Sequence, residues 1–123
     1  MIDISDATAV TRVLLFWSGG KDAAWTLYRL QQDESVQVIG LLTTFDTASD
    51  RSAMHSVRRS LLKRQADVAD LPLIEIDMSW PCSNSTYQRI MNSAISELRD
   101  DLDIDALAFG DLFIEDIRSY REK

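Results

Sequence analysis

Residues 13–22 read VLLFWSGGKD and carry the clearest structural signal in the chain. Five consecutive apolar residues, 13–17, predict a strand that is buried on both faces, as in the middle of a parallel sheet. Ser18, Gly19 and Gly20 end this strand, because glycine permits a tight turn. From Ala23 the apolar residues recur at helical spacing. The stretch therefore predicts a strand, a turn and a helix in direct succession.

The same alternation of elements continues outward from this stretch. The first helix is expected to end near Asp33, and a polar loop is expected at 43–50. Further apolar runs predict three more strands, at 36–45, 73–78 and 106–109. Helical spacing predicts three more helices, at 54–68, along 87–98 and from 112 onward. In the second helix the apolar stripe consists of Met54, Val57, Leu61 and Val68.

Strands that alternate with helices favour a three-layer α/β fold, in which helices cover both faces of a parallel sheet. We therefore expect a Rossmann-like, doubly wound sheet, truncated at its carboxyl-terminal side because no fifth strand follows. Ligands of such sheets bind beyond the carboxyl ends of the strands, where the strand order reverses. This rule predicts a site formed by four segments: 18–22, 43–46, 78–82 and 110–111.

Composition limits the class of protein. The chain has 123 residues, 46% of them hydrophobic, which is the size and content of a single domain spanning 1–123. A formal net charge of −7 disfavours nucleic acid as a partner, because phosphate backbones are repelled. No apolar run approaches the roughly 20 residues of a membrane span, and we expect neither an anchor nor a signal peptide. Cys82 is the only cysteine, which favours a reducing cytoplasm.

The segment 18–22 has the chemistry of a phosphate cradle. Glycines allow the backbone to approach a ligand closely, and the first amides of a helix carry the positive end of its dipole. Ser18 adds a hydroxyl and Lys21 a point charge, while Asp22 could either cap the helix or hold Mg²⁺. The spacing fits neither a Walker loop nor a dinucleotide fingerprint. The alternative is that the two glycines only form the turn that leads from the strand to the helix, without binding a ligand.

The SGGKD segment resembles the pyrophosphate-binding loop (PP-loop) of the adenine nucleotide alpha hydrolase-like superfamily. Three further segments narrow the resemblance: MHSVRRSLLKRQADVADLPLIEI from Met54, WPCSNSTYQ from Trp80 and FGDLFIEDIRSYRE from Phe109. Together they are similar to the diphthine-ammonia ligase family, in particular to its bacterial branch of ATP-binding proteins. The resemblance covers the chain from about Val13 to its last residue and matches the amino-terminal, nucleotide-binding part of the family.

The resemblance implies an ATP- and magnesium-dependent reaction. A carboxylate of an unidentified acceptor attacks the α-phosphate of ATP, pyrophosphate leaves, and ammonia then displaces AMP to give an amide. The phosphates would be held by Ser18, Gly19, Gly20, Lys21 and Asp22, with Asp22 also binding Mg²⁺. Thr43 would meet the adenine, and Gly110 and Asp111 would line the AMP or acceptor side. Lys21 and Asp111 are the expected catalytic residues, and the acceptor would contact His55, Glu115 and Arg118.

Two departures from the family pattern leave other functions open. The loop usually ends in serine, whereas this chain has Ala23, so one hydroxyl that could touch phosphate is missing. Family members also continue past the last segment into a region that helps to bind the acceptor. A module that binds ATP or AMP without turnover is one alternative, and an ATP pyrophosphatase acting in RNA modification is another. An incomplete sheet edge would expose apolar surface and predicts self-association.

Weaker signals have competing explanations. His55, Arg59 and Lys63 are spaced four apart and would share one face of the second helix, either to meet an anion or as an ordinary solvated face. Carboxylates around Glu115 could bind a metal or the acceptor, or simply favour the start of a last helix. Cys82 is conceivable as a nucleophile, but His55 is the only histidine that could activate it. The alternating Asp101, Asp103 and Asp105 lack the glycine and closing glutamate of a calcium loop, and a polar lead-in to the fourth strand is preferred.

Overall fold

A computed structural model describes residues 10–52 and 56–110, together with the backbone of 114–116. Within this part of the chain there are six strands: β1 (Thr11–Phe16), β2 (Val36–Asp46), β3 (Arg51–Ser52), β4 (Leu73–Met78), β5 (Ala106–Ala108) and β6 (Ile114–Asp116). The helices described are α1 (Lys21–Gln32), α2 (Arg59–Val68) and α3 (Asn84–Leu102). The strand predicted from 13–17 is thus β1, and the helix after it is α1.

Four of the strands run parallel, in the order β4, β2, β1, β5. β1 lies in the middle, where Val13 stands opposite Val38 on one side and Ala106 on the other. From β1 the chain first builds the sheet toward β2 and β4, and then returns to place β5 on the opposite side. The strand order therefore reverses between β1 and β5, as the prediction of a doubly wound sheet requires.

Helices cover both faces of this sheet and make three layers. Alternate residues of a strand point to opposite faces. On one face Val13 and Leu15 of β1 pack with Leu27 of α1 and Leu62 of α2. On the other face Leu14 packs in a second core, which includes two residues of α3, Met91 and Ile95. The predicted three-layer, Rossmann-like α/β fold is confirmed.

The region after β2 departs from the predicted pattern. β2 continues through Asp46 instead of giving way to a loop at 43, and its buried threonines continue the pleat. The short antiparallel β3 then pairs with the end of β2, so α2 begins only at Arg59. The predicted second helix from Met54 was therefore wrong in its first turn, and Met54 and His55 lie outside the described residues.

The predicted apolar stripe of the second helix was also wrong. Leu61 is 48% exposed and Val68 is 83% exposed, whereas the buried positions of α2 are Leu62 and Ala66. A small alanine lets the helix approach the sheet closely. His55 lies outside the described residues, so the predicted common face of His55, Arg59 and Lys63 stays a prediction.

A sixth strand comes after β5, where the sequence predicts a last helix. Backbone pairing places Leu107 opposite Glu115, so 114–116 is an antiparallel strand, β6, at the sheet edge. Pairing with an edge strand depends on contacts remote in sequence, which override the weak local preference of a charged segment. Residues 111–113 and 117–123, and with them Asp111 and Arg118, lie outside the described residues.

Hydrogen bonds join the start of β1 to the end of α3. The guanidinium of Arg12 donates to the carbonyl oxygens of Leu102 (2.9 Å) and Asp103 (3.0 Å), which a helix end leaves without partners. The backbone N–H of Arg12 donates to the carboxylate of Asp105 at 3.0 Å. Asp103 itself ends α3 in the left-handed conformation, with φ of 56°. These aspartates therefore organise the entry to β5, in line with the preferred interpretation.

Among the described helices, none is long and apolar enough to cross a membrane.

Candidate functional site

A cleft of about 400 Å³ opens where the strand order reverses, at the carboxyl ends of β1, β2 and β5. Its volume lies within the range of small-molecule sites. The wall contains four residues predicted for the site, which are Ser18, Asp22, Thr43 and Gly110. A sheet edge at a reversal of strand order is where doubly wound folds bind ligands. The structure thus brings the amino-terminal and carboxyl-terminal halves of the predicted site together.

The turn after β1 requires glycine at one position. Gly19 has φ of +83°, a conformation that residues with a side chain rarely adopt. A Cβ atom on Gly19 would stand 2.8 Å from Cδ2 of Leu62 and 3.1 Å from Oε1 of Gln65. The turn therefore lies directly against α2. At Gly20 a Cβ atom would meet only the Ser18 hydroxyl, at 3.6 Å, so that side of the turn is open.

Gln65 holds the turn from α2. Its Oε1 accepts from the indole N–H of Trp17 at 2.8 Å, and its Nε2 donates to the carbonyl of Gly19 at 3.4 Å. Trp17 is 7% exposed, so the first of these bonds is shielded from water. One amide side chain thus links the residues on either side of Ser18. Sequence reasoning missed Gln65, although a polar residue between two buried positions of a helix is a detectable signal.

The first amides of α1 are available to a ligand. Gly20 is the residue before the helix, and no side chain caps the helix start. The first intrahelical bond is donated by Ala24 to the Gly20 carbonyl, at 3.1 Å. The N–H groups of Lys21, Asp22 and Ala23 precede that bond and have no acceptor within the helix. An uncapped helix start with a glycine turn is a general anion-binding arrangement.

A second groove, of about 340 Å³, runs along this turn. Its lining consists of Ser18, Gly19, Gly20, Lys21, Asp22 and Val57. Ser18 and Asp22 also line the larger cleft, so the two spaces share one border. The Ser18 hydroxyl accepts from the N–H of Gly20 at 3.2 Å and keeps its own proton for another partner. All five residues predicted for the phosphate cradle therefore line one groove.

Lys21 and Asp22 form an exposed ion pair. Lys21 Nζ lies 2.9 Å from Asp22 Oδ1, and the two side chains are 92% and 78% exposed. Such a pair contributes little to stability because water competes for both charges. Both side chains can therefore turn toward a ligand at small cost. Lys21 stands at the groove as a mobile cation, and Asp22 as a carboxylate at the border of the cleft.

Thr43 and Gly110 contribute wall surface to the cleft. The Thr43 hydroxyl donates to the carbonyl of Trp17 at 2.7 Å, so its proton is already in use. Thr26 of α1 lies within hydrogen-bond distance of two carbonyls, those of Gly110 (2.8 Å) and Asp22 (2.9 Å). A hydroxyl has one proton to donate, and the two carbonyls share it. This contact joins the start of α1 to the end of β5 across the reversal of strand order.

Sequence reasoning also missed several residues of the cleft wall. Phe16 and Leu42 supply apolar surface, and Phe16 stacks on Phe109 with ring centroids 4.9 Å apart. Ser52 approaches from β3, and Thr44, which belongs to the predicted segment 43–46, also lies on the wall. Period-two alternation at the ends of β1 and β2 predicts such positions, but only once the end of each strand is known.

The structure accounts for the other predicted site residues only in part. His55, Asp111 and Arg118 lie outside the described residues, and for Glu115 only the backbone position on β6 is described. The predicted segment 78–82 lines neither the cleft nor the groove. Cys82 follows β4 near Tyr87 of α3. Burial, with a smaller contribution from the Cys82 charge, raises the pKa of Tyr87. Neither residue lines the cleft or the groove.

A family comparison agrees with this geometry. Residues 11–123 match the family described as the diphthamide synthase N-terminal domain. The chain belongs to this family. No curated protein and no solved structure matches the chain significantly. The match includes β1, the glycine turn and every element described above, so membership in the diphthamide synthase N-terminal domain family extends over the whole candidate site.

Proposed function

We propose that the chain binds ATP at the border of the cleft and the groove. The phosphate tail would lie on the open amides at the start of α1, with Lys21 turned toward it. The adenosine part would occupy the larger cleft, against Phe16 and Leu42 and beside Thr43 and Gly110. An apolar wall with a few polar groups suits a purine, and an amide-lined groove suits an anion.

One observation carries this proposal. The amides of Lys21 and Asp22 have no acceptor within the helix, and both residues line the groove, which shares Ser18 and Asp22 with the larger cleft. A nucleotide likewise has two parts, a flat purine and an anionic phosphate tail, which two adjoining spaces can accommodate. Family membership supports the proposal, because PP-loop proteins generally bind ATP.

Magnesium fits the donor set at the site. Asp22 offers one exposed carboxylate at the border, and the described residues contain no cluster of three or more potential metal-binding side chains. Proteins commonly hold Mg²⁺ with one or two carboxylates plus the phosphates of a substrate, so a single carboxylate suffices. Asp22 would hold the ion after releasing Lys21. When bound, Mg²⁺ supplies positive charge that neutralises the phosphates.

We further propose an ATP-dependent amide ligase of the diphthine-ammonia ligase type. An acceptor carboxylate oxygen would form a bond to the α-phosphorus while pyrophosphate leaves. Ammonia would then form the C–N bond while AMP leaves. Lys21 and the α1 amides would stabilise the charge that develops on pyrophosphate. Asp111 is proposed as the second catalytic residue, and His55, Glu115 and Arg118 are proposed to contact the acceptor.

Binding without turnover is the second candidate, and Ala23 favours it. Ala23 is 2% exposed, and its backbone nitrogen lies 3.8 Å from where a Cβ atom of Gly110 would stand. Position 23 thus belongs to the wall of the cleft but offers no hydroxyl. A site of this kind would still bind the nucleotide through its amides and Lys21, with ATP remaining intact.

Calorimetric titration with a non-hydrolysable ATP analogue and Mg²⁺ tests the binding proposal. Lys21→Ala should weaken the affinity about tenfold, because a hydrogen bond to a charged group is lost, while the thermal midpoint of unfolding stays unchanged. Lys63→Ala removes an exposed lysine of α2 that does not line the site and should bind like the wild type. Equal affinities of the wild type and Lys21→Ala would remove the loop from the proposal.

Product analysis then separates the two candidates. Incubation with ATP, Mg²⁺, ammonia and a panel of carboxylates should yield equal amounts of AMP and pyrophosphate if the ligase proposal is correct. Recovery of intact ATP after incubation with a protein that binds the analogue would favour the non-catalytic module. Release of AMP and pyrophosphate with neither a carboxylate nor ammonia added would instead point to a pyrophosphatase.

A further inference from the structure

Arg59, the first residue of α2, is the centre of a cluster that no motif predicts. Its guanidinium contacts three carboxylates, with Nε 2.6 Å from Asp50, Nη2 2.7 Å from Asp77 and Nη1 bonded to Glu75. The same group lies 4.1 Å above the ring centroid of Phe45. Its side chain is only 17% exposed, so these contacts are partly shielded from water.

The charge of Arg59 is fixed by this arrangement. Burial alone would lower the pKa of the guanidinium, but the hydrogen bonds that it donates to Asp77, Glu75 and Asp50 outweigh burial and raise the pKa above its ordinary value. A planar guanidinium can bond to three acceptors at once, which a lysine ammonium at the same place would do with poorer geometry. Arg59 is therefore not free to meet an external anion, in contrast to one of the two alternatives considered for this helix face.

The three carboxylates belong to different parts of the molecule. Glu75 and Asp77 lie on β4 and Phe45 lies on β2, so they form one rigid side of the cluster. Asp50 belongs to the wall hairpin, which consists of residues 50–52 and 56–58 in the described part of the chain. The bond from Arg59 to Asp50 thus adds a side-chain link between this hairpin and β4 to the backbone pairing of β3 with β2. A backbone bond from the Arg59 N–H to the Asp50 carbonyl, at 3.2 Å, accompanies it.

The wall hairpin reaches the candidate site. Ser52 lines the larger cleft, and Val57 lines the groove along the glycine turn. Three hydrogen bonds hold these residues to each other: Ser52 N–H to the Val57 carbonyl (2.8 Å), Ser56 N–H to the Ser52 carbonyl (2.9 Å) and Val57 N–H to the Ser52 hydroxyl (3.0 Å). All three bonds lie within the hairpin and fix its shape, whereas its place depends on the short pairing of β3 with β2 and on the contacts of Arg59.

We propose that Arg59 is a positioning residue for the nucleotide site: by tying Asp50 to Glu75 and Asp77, it holds the wall hairpin against the cleft. This inference rests on the proposed function, because it assigns Arg59 a role in binding a nucleotide that it does not touch. Loss of these contacts would weaken the two-residue pairing of β3 with β2 and let Ser52 and Val57 move away from the ligand, while the parallel strands remain paired.

Two variants test whether Arg59 holds the wall hairpin, and a third variant is the matched control. Arg59→Gln removes all three ion pairs. Asp50→Asn removes only the charged contact to the hairpin, and it keeps the φ of 58° at position 50, which asparagine tolerates well. Arg58→Gln makes the same charge change one residue earlier, at an exposed side chain that has no bonded partner among the described residues.

Amide hydrogen exchange and analogue titration provide the two readouts. The amide of residue 50 bonds to the Asp46 carbonyl of β2 at 2.9 Å, and the amide of Arg59 bonds to the carbonyl of residue 50, so both report the attachment of the hairpin. In Asp50→Asn these two amides should exchange up to about fivefold faster, the effect of losing one exposed ion pair. The same amides should exchange faster still in Arg59→Gln, and both variants should bind the ATP analogue more weakly. Amides of β1, such as that of Leu14, should keep their rates, and Arg58→Gln should match the wild type in both measurements.

Several outcomes would overturn the proposal. Unchanged exchange of the amides of residues 50 and 59 in both variants would show that Arg59 does not hold the wall. Faster exchange with unchanged analogue affinity would show that the wall does not serve the site. Faster exchange throughout β1 in Asp50→Asn would show that the contact stabilises the whole fold. A wild-type chain that binds no analogue would overturn the proposed function instead, while the exchange rates would still decide whether Arg59 holds the hairpin.

Discussion

The two adjacent glycines of the loop have different tasks. Gly19 combines a positive φ with direct contact to α2, whereas Gly20 has φ of −95° and open space where a side chain would stand. The first residue is required by the fold, and the second gives a ligand access to the backbone. A sequence with two neighbouring glycines does not reveal this division, because it depends on Leu62, which is remote in the chain.

Alanine substitutions separate these tasks. Gly19→Ala should lower the free energy of unfolding by about 2 kcal/mol or more, since it combines a left-handed backbone with overpacking against Leu62. Gly20→Ala should change the free energy of unfolding by less than about 1 kcal/mol but should weaken binding of the ATP analogue. Urea unfolding and calorimetric titration of both variants measure the two effects. A Gly19→Ala protein as stable as the wild type would contradict the strained geometry described for this turn.

At the level of single residues, the structure brings together the loop residues that local chemistry singled out. Ser18, Lys21 and Asp22 were predicted from the loop itself, and they line one groove. Gln65 and Ser52 were missed because their importance arises from packing between α2, β3 and the turn. A sequence motif reports residues that are neighbours in the chain, and a site wall brings together residues that are not.

Among the elements, long strands with buried faces were the most predictable. The boundaries of β4 agree with the predicted 73–78, because an apolar pattern marks the strand and turns flank both of its ends. β3 and β6, with two and three residues, carry no periodic signal of their own and exist through pairing with β2 and β5. The later start of α2 is a consequence of β3, since a chain that pairs with β2 at Ser52 cannot be helical there.

The end of β2 contributes to stability in a manner that depends on pH. Asp46 accepts from the Ser49 hydroxyl at 2.9 Å and from the Ala48 N–H at 3.2 Å. The hydrogen bond from Ser49 is the main cause that lowers the pKa of Asp46 below its ordinary value of 3.8. A carboxyl group with a lowered pKa in the folded state stabilises the protein above its unfolded pKa, and this contribution is lost as the pH falls through the folded value.

Asp46→Asn should therefore reduce the free energy of unfolding at neutral pH. The difference from the wild type should shrink once the pH falls below 3.8, because the wild-type carboxyl group then becomes protonated. Urea unfolding at neutral and acidic pH measures this difference. Asp101→Asn, which removes an exposed carboxylate near the end of α3, provides a control for the change in net charge. A difference that grows on acidification would contradict the assigned hydrogen bonds.

The hydrogen bonds between Arg12 and the end of α3 contribute to stability at a distance from the cleft. Arg12→Met keeps the apolar stem but removes two hydrogen bonds to helix carbonyls, which should cost about 1–2 kcal/mol of unfolding free energy. Binding of the ATP analogue should remain unchanged, because Arg12 does not line the cleft. Chemical unfolding and titration test both statements, and Arg89→Met, at an exposed position of α3, controls for the loss of a surface arginine.

For the whole molecule, the doubly wound topology was the prediction that said most about where the site lies. Alternating elements implied a doubly wound sheet, and this topology placed the segments 18–22, 43–46, 78–82 and 110–111 at one edge before any contact was known. In the structure Ser18, Asp22, Thr43 and Gly110 line one cleft, whereas the residues of 78–82 do not. The sequence could not predict the enclosure of that cleft, because it depends on the wall hairpin and on the cluster around Arg59.

Nucleotide binding should stabilise the entire domain. A ligand that binds only the folded state adds about 2.7 kcal/mol to the free energy of unfolding at a concentration of one hundred times its dissociation constant. The thermal midpoint should rise steadily with the concentration of the ATP analogue, and it should rise less in Lys21→Ala at each concentration. A midpoint that is independent of the analogue, in a protein whose unfolding is reversible, would contradict specific binding to the folded chain.

The contact between Thr26 and Gly110 joins residues that are 84 positions apart in the sequence. During translation, the glycine turn leaves the ribosome long before β5 is made, and the cleft has only part of its wall until then. A nascent chain arrested before residue 106 would already contain the complete SGGKD motif but would lack the strand that closes its binding site. Capture of nucleotide by ribosome-bound chains of increasing length should therefore begin only after β5 has emerged.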